Sequence, residues 1–240
     1  MKYFVYIFIL SSQFIAGQVS IETELGLPIQ GYNEVRVPNS ATEFDLNKDF
    51  SAVGPVIAGR IRLSYTFKEK NHISGLFAPL TINYKGRTAK GIDFQETHFY
   101  AGEDLEGTYK FNSYRLTYRR DLIKSDKWLF GIGFTAKIRD ATIALSGTDK
   151  KDRKDDLGFV PLLRIVGAYK YNNFSFLIEG DGLAGGPGRA FDFFGGITYQ
   201  FHENLSGKIG YRIVEGGADV SEVYNFTIIN IITAGLVVDF

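Results

Sequence analysis

Residues 230–240 read NIITAGLVVDF, and their side chains alternate between two faces of an extended chain. One face carries Ile232, Ala234, Leu236, Val238 and Phe240. A period of two is typical of a β-strand. A strand that ends in an aromatic residue is unusual for a soluble domain. The predicted fold class therefore depends on whether the rest of the chain follows the same pattern.

The composition favours strands with many close contacts. The chain has 21 Phe, 14 Tyr and 27 Gly but only 6 Pro and one Met. Aromatic residues are enriched in strands, and glycine in a strand allows close approach of neighbouring groups. The absence of cysteine excludes disulfides and thiol chemistry. The 27 basic residues balance 27 acidic ones, which argues against a nucleic-acid partner.

The first residues, MKYFVYIFILSSQFIAGQ, have the features of a secretory signal peptide. Lys2 precedes a short apolar run, and Ala16-Gly17 supplies the small residues that a signal peptidase needs. We therefore expect a signal peptide at 1–17 and a single mature domain at 18–240. No later stretch reaches the roughly 18 apolar residues of a transmembrane helix.

The pattern predicts ten strands joined by alternately short and long connections. The strands are expected at 18–27, 56–67, 72–84, 107–122, 128–145, 159–171, 174–181, 191–201, 205–216 and 224–240. The short connections are 68–71, 124–127, 172–173 and 202–204, and the long ones are 28–55, 85–106, 146–158, 182–190 and 217–223. Short turns at one end and long loops at the other are the layout of a bacterial outer-membrane barrel. The sequence thus predicts an all-β fold, a closed antiparallel up-and-down transmembrane β-barrel of about ten strands, with eight or twelve as alternatives.

The two strand faces differ in a way that separates a membrane barrel from a lipocalin-like soluble barrel. Along 128–138 one face is aromatic or aliphatic, while the other mixes glycine and threonine with Lys137. Small residues suit a narrow barrel interior. Aromatic residues such as Trp128 and Phe201 also crowd the strand ends beside the short turns, as in a membrane-interface girdle. We therefore expect the apolar face to meet lipid.

Four stretches resemble an uncharacterised family of Gram-negative outer-membrane β-barrel proteins. They are NSYRLTYRRDL (112–122), KWLFGIGFTAKIRDATIAL (127–145), FSFLIEGDGLAGGPGRA (174–190) and KIGYRIVEGGADVSEVYNF (208–226). The resemblance implies the barrel fold and the outer membrane as location, and it brings no catalytic residues. The amphipathic last strand with Phe240 also resembles the signal that such barrels present to the barrel-assembly machinery. The partners expected are thus outer-membrane lipid and that machinery; the oligomeric state is open.

The alternation places a set of charged side chains inside the barrel. The predicted lumen network comprises Arg60, Arg62, Arg115, Arg119, Lys137, Arg139, Arg164, Glu179, Asp181, Lys208 and Arg212, with Glu22 and Glu24 on the same face. Buried charges must be paired, since an unpaired one costs several kcal/mol. One interpretation is a salt-bridge network that plugs the lumen. The excess of basic residues supports another, a narrow channel for small anionic solutes.

Candidate residues at the extracellular rim are His98, Asp192, Glu215, Asp219 and Glu222. His98, beside Asp93, is the only histidine on a long loop, and it would serve a rim enzyme acting on lipid or peptide. The sequence lacks metal-ligand spacing, and the glycine-rich 182–190 lacks a phosphate-loop motif, so we expect no metal or cofactor. A plugged barrel with a structural or binding role is the leading hypothesis, ahead of the channel and the rim enzyme. Segment 28–55 could form strands above the membrane, a plug or a partner site.

Overall fold

The computed structural model describes residues 17–240. The signal peptide expected at 1–17 lies outside these residues except for Gly17, and it stays a prediction. The strands are β1 (Gln18–Arg36), β2 (Phe44–Asp45), β3 (Phe50–Ala52), β4 (Ala58–Phe67), β5 (Asn71–Ala78), β6 (Thr81–Arg87), β7 (Ile92–Phe94), β8 (Thr97–Phe99), β9 (Asp104–Lys124), β10 (Trp128–Ser146), β11 (Lys151–Tyr171), β12 (Phe174–Gly185), β13 (Gly188–His202), β14 (Leu205–Val220) and β15 (Val223–Asp239). Residues 17–240 contain no helix with the length and hydropathy of a transmembrane segment.

The wall is a closed antiparallel barrel. Its order is β1–β4–β5–β9–β10–β11–β12–β13–β14–β15, and β15 returns to β1 through a ladder that runs from Ser20↔Asp239 to Arg36↔Tyr224. β6 continues the line of β5 along β9, and the break between them contains Pro79. Proline cannot donate to a ladder, which explains the interruption of the single strand expected at 72–84. The predicted closed barrel of ten strands is confirmed.

The strands are longer at the end of the barrel where the long loops lie. β9 and β11 have 21 residues each, whereas a membrane-spanning strand needs only about 9–11. The prediction that the charged stretch 146–158 forms a loop is wrong. β11 begins at Lys151 and pairs with β10, starting from the pair Ser146↔Lys151. Its charged residues occupy both faces of a strand that projects past the apolar part of the wall, where water can reach both faces. The loop expected at 182–190 is also shorter than predicted. β12 and β13 extend into it and leave only a turn at 186–187, where Gly186 adopts a positive φ of 55°.

Segment 37–57 and the β7–β8 hairpin fold inward at the long-loop end. β2 pairs with β1, and β3 pairs with β6. Together these parts bury an apolar core that includes Phe44, Phe50, Phe94 and Phe99, packed against inward side chains of the extended wall such as Tyr109. Of the three roles left open for 28–55, residues 28–36 extend β1 and the remainder fills the long-loop half of the barrel.

Candidate functional site

A network of ion pairs crosses the middle of the barrel. Its six cations and five carboxylates come from seven strands of the wall: Arg60, Arg62, Arg115, Arg164, Lys208, Arg212, Glu22, Glu24, Glu179, Asp181 and Asp192. The alternation of side chains on each strand turns all of them inward. We call this set the lumen network.

Glu179 of β12 lies at one centre of the lumen network and is only 3% exposed. Its carboxylate accepts hydrogen bonds from Arg62 at 2.9 Å, from Lys208 at 3.1 Å and from Arg212 at 3.2 Å. Arg164 donates a fourth bond. One carboxylate therefore ties together four cations from three different strands.

Asp192 of β13 forms a second centre, which corrects its expected position at the rim. Its carboxylate contacts Arg115 at 2.6 Å, Arg212 at 2.7 Å and Arg60 at 2.9 Å, and the residue is 2% exposed. The reason is the tight turn at 186–187, which carries β12 and β13 further along the barrel and sets Asp192 opposite Asp181 in the interior.

Three glutamates in the network resemble a set of metal ligands but already share a cation. Oxygens of Glu22, Glu24 and Glu179 lie within 4.8 Å of one another. The Lys208 ammonium donates to all three, at 2.5, 2.7 and 3.1 Å, and also lies 4.0 Å from the centre of the Phe194 ring. A lysine thus holds the position that a metal would need.

A separate polar cluster lies at the short-turn end of the lumen. His72 Nε2 is 2.8 Å from Asp121, and His72 Nδ1 is 2.9 Å from the Thr66 hydroxyl. Arg119 belongs to this cluster and not to the lumen network, because its Nε lies 3.0 Å from Asp121. Asp121 was missed at the sequence level, although its inward parity beside Arg119 could have indicated it.

Lys137 and Arg139 also stand outside the lumen network, towards the long-loop end. Arg139 pairs with Asp156. Lys137 is 4% exposed, and its ammonium faces the Phe111 ring at 4.7 Å. Both residues line a cavity of about 60 Å³ whose other walls include Phe111, Val160, Ala190 and Val214. We call it the Lys137 cavity.

The remaining rim candidates do not converge on one site. His98 Nδ1 lies 2.6 Å from Asp93 on the solvent-facing side of the β7–β8 hairpin, and this contact holds the pKa of the Asp93 carboxyl below its usual value. Glu215 lines the Lys137 cavity but is paired with Arg189 at 2.8 Å. Asp219 accepts a hydrogen bond from Asn39 at 2.5 Å, and Glu222 lies in the exposed turn between β14 and β15.

Phe240 follows β15, and its side chain is exposed on the outer face of the barrel. Its backbone N–H donates to the Val19 carbonyl at 2.8 Å, which adds a last hydrogen bond at the end of the β1–β15 ladder. Recognition of this residue by the barrel-assembly machinery stays a prediction.

Solved structures share this architecture. The outer-membrane protease OmpT from Escherichia coli superposes with a TM-score of 0.55 at 11% identity, over 93% of this chain and 97% of that chain. An outer-membrane channel from Pseudomonas putida F1 gives a TM-score of 0.45 at 11% identity over 94% and 96% of the two chains. The translocator domain of the autotransporter NalP from Neisseria meningitidis gives 0.46 at 11% identity over 96% and 91%.

The closed ten-stranded wall and the superposition on OmpT show the fold of outer-membrane β-barrel proteins, as the sequence resemblance implied. At these identities the similarity concerns the fold alone. No protein-family model matches the chain, and no curated protein matches it in sequence.

Proposed function

We propose that this chain is an integral protein of the bacterial outer membrane whose barrel is closed to solutes and which binds a ligand in its long-loop half. The lumen network carries the closed lumen, and the Lys137 cavity carries the ligand site. The charged groups of the network bridge the barrel in pairs, and Arg212 among them is only 1% exposed. The paired side chains are buried, with exposures from 1% for Arg212 to 15% for Glu22, so they fill the lumen and leave no continuous path for water.

The charge balance of the lumen argues against a pathway for anions. A basic constriction attracts an anion only if its cations are not already neutralised. Here six cations meet five carboxylates, and Arg115 illustrates the pairing with contacts to Asp181 at 3.0 Å and Asp192 at 2.6 Å. The apolar core between the strands and segment 37–57 packs the barrel beyond the network, apart from the Lys137 cavity.

Location in the outer membrane is supported by the outer face of the wall. Outward side chains of β10 and β11, among them Phe134, Phe159 and Leu163, are each more than half exposed. Water would not favour so large an apolar surface, whereas lipid would. Trp128 and Tyr169 pack together beside the short turns with ring centres 4.6 Å apart, as expected of an interfacial girdle.

Permeation tests the proposal. The mature protein is refolded into liposomes, and folding is verified by heat-modifiable gel migration. Swelling is then recorded in small neutral sugars and in small organic anions, with a general porin as the positive control. We expect the rate of protein-free liposomes; swelling at a porin-like rate would refute the closed lumen.

A further inference from the structure

The barrel wall has a gap between β11 and the β12–β13 hairpin. The β11–β12 ladder ends at Leu163↔Gly182, although β11 continues outward to Lys151 along β10. Beyond this point β12 pairs with β13 alone, as at Leu183↔Ala190. Pro161 lies two residues past the last pair and has no N–H to donate, which suits a strand edge. In the part of the chain that the structure describes, residues 151–162 thus have no ladder partner on this side.

The end of the gap beside Pro161 lies in the apolar part of the outer face, whereas its charged end at 151–156 projects beyond that part. Leu157 and Phe159, on the outer face of the free edge of β11, are 76% and 66% exposed, whereas Leu183 across the gap is 41% exposed and shares the inward parity of Asp181. In the membrane orientation proposed above, Leu157 and Phe159 meet acyl chains, and Leu183 lies on the inner side of the gap. The Lys137 cavity adjoins the gap from inside, because Val160 on the free edge of β11 lines the cavity, as does Ala190 of β13, which pairs with Leu183 on the β12 edge.

Lys137 carries the unmatched charge of this region. No carboxylate lies within ion-pairing distance of its ammonium among residues 17–240, and no hydrogen bond engages it; its neighbour across the ladder is Arg115, a like charge. The nearby carboxylates are engaged elsewhere, Asp156 by Arg139 and Glu215 by Arg189. Such a buried cation is costly without a counter-ion. The Nε atom of Arg139 is likewise without a partner.

We propose that the Lys137 cavity binds the carboxylate of a long-chain monocarboxylic acid, whose apolar chain lies in the gap between β11 and β12. The inference rests on the proposed function and names the ligand of its long-loop half. A single negative charge matches the one unpaired ammonium. At about 60 Å³ the cavity is smaller than the roughly 150 Å³ of a cavity that holds benzene, so it has room for a head group and not for the chain.

The test uses dodecanoate and the full mature protein in lipid nanodiscs, with binding measured by displacement of a fluorescent fatty acid. Lys137→Met keeps the length and apolar stem of the side chain and removes the charge. We expect it to weaken dodecanoate binding at least tenfold while the barrel stays heat-modifiable. Lys85→Met is the matched control, because Lys85 is exposed and paired with Glu106 at 2.8 Å; it should bind like the unmodified chain.

Three analogues separate the parts of the proposal. Dodecanol, which lacks the charge, and butyrate, which lacks the chain, should each bind at least tenfold more weakly than dodecanoate. Equal affinity for either analogue, equal affinity of Lys137→Met, or no dodecanoate binding would overturn the inference. Tighter binding of dodecyl phosphate than of dodecanoate would show that the head group is a phosphate and overturn the carboxylate assignment. A sealed barrel that fails to bind refutes this inference alone, whereas a permeable barrel refutes the proposed function.

Discussion

Removal of one charge from the centre of the lumen network should destabilise the whole barrel. In Glu179→Gln the side chain keeps its shape and loses its negative charge. Four cations, Arg62, Arg164, Lys208 and Arg212, lose an ionic partner. Breaking a buried ion pair by removing one partner costs about 3–5 kcal/mol.

The structure places the expected cost at the low end of that range. Each of the four cations keeps another carboxylate: Arg62 keeps Glu22 at 3.0 Å, Arg164 keeps Asp181 at 3.0 Å, Lys208 keeps Glu24 at 2.7 Å and Arg212 keeps Asp192 at 2.7 Å. We therefore expect the free energy of unfolding to fall by about 3 kcal/mol.

The assay is reversible denaturant unfolding of the refolded barrel in lipid, followed by the fluorescence of Trp128, the only tryptophan. Glu106→Gln is the control, since Glu106 pairs with Lys85 on the exposed surface, where an ion pair contributes little. The control should unfold at the same denaturant concentration as the unmodified chain. If Glu179→Gln did so too, the lumen network would not be a structural plug and the reasoning would be refuted.

Three further perturbations address the inward segment, the lipid-facing wall and the hairpin at the rim. Phe44→Ala removes a ring that packs 6.1 Å from that of Phe94, at a cost of about 3–5 kcal/mol, and should make segment 37–57 sensitive to protease in the folded barrel; unchanged resistance would mean that the segment is held in another way. Ile165→Arg places a charge on the outer face of β11 and should cost about 2–4 kcal/mol in the same unfolding assay; an unchanged midpoint would contradict lipid contact there. The pKa of Asp93 is held below its usual value by His98, so this contact stabilises the hairpin above the ordinary pKa of an aspartate and is lost as the pH falls. In His98→Ala an NMR titration should show the Asp93 pKa raised towards its usual value, and an unshifted titration would contradict the contact.

The barrel could be predicted from the sequence because its signals are local. Alternation of side chains and the lengths of turns such as 172–173 are properties of short stretches, and together they predicted ten strands. Strand ends were harder to predict where polar residues alternate on a wall that projects past the apolar band. For that reason 151–158 looked like a loop although it belongs to β11.

The partners of individual charges could not be predicted, because they depend on which strands face each other across the lumen. Parity indicates that Lys137 and Arg139 point inward, but only the staggering of strands shows that they lie beyond the lumen network. The same staggering brings Asp192 level with Arg212 in the interior. The gap beside Pro161 depends on the different lengths of the β10–β11 and β12–β13 hairpins, which the sequence alone did not indicate.

Single-channel recording in a planar bilayer tests the closed lumen most directly. The refolded mature protein is inserted in symmetrical salt, and insertion is verified by recovery of the heat-modifiable form from the same preparation. We predict a membrane current that stays at the baseline of the protein-free bilayer. Discrete, reproducible conductance steps, with a preference for anions that Arg212→Ala changes, would contradict a plug and make the lumen network the lining of a channel.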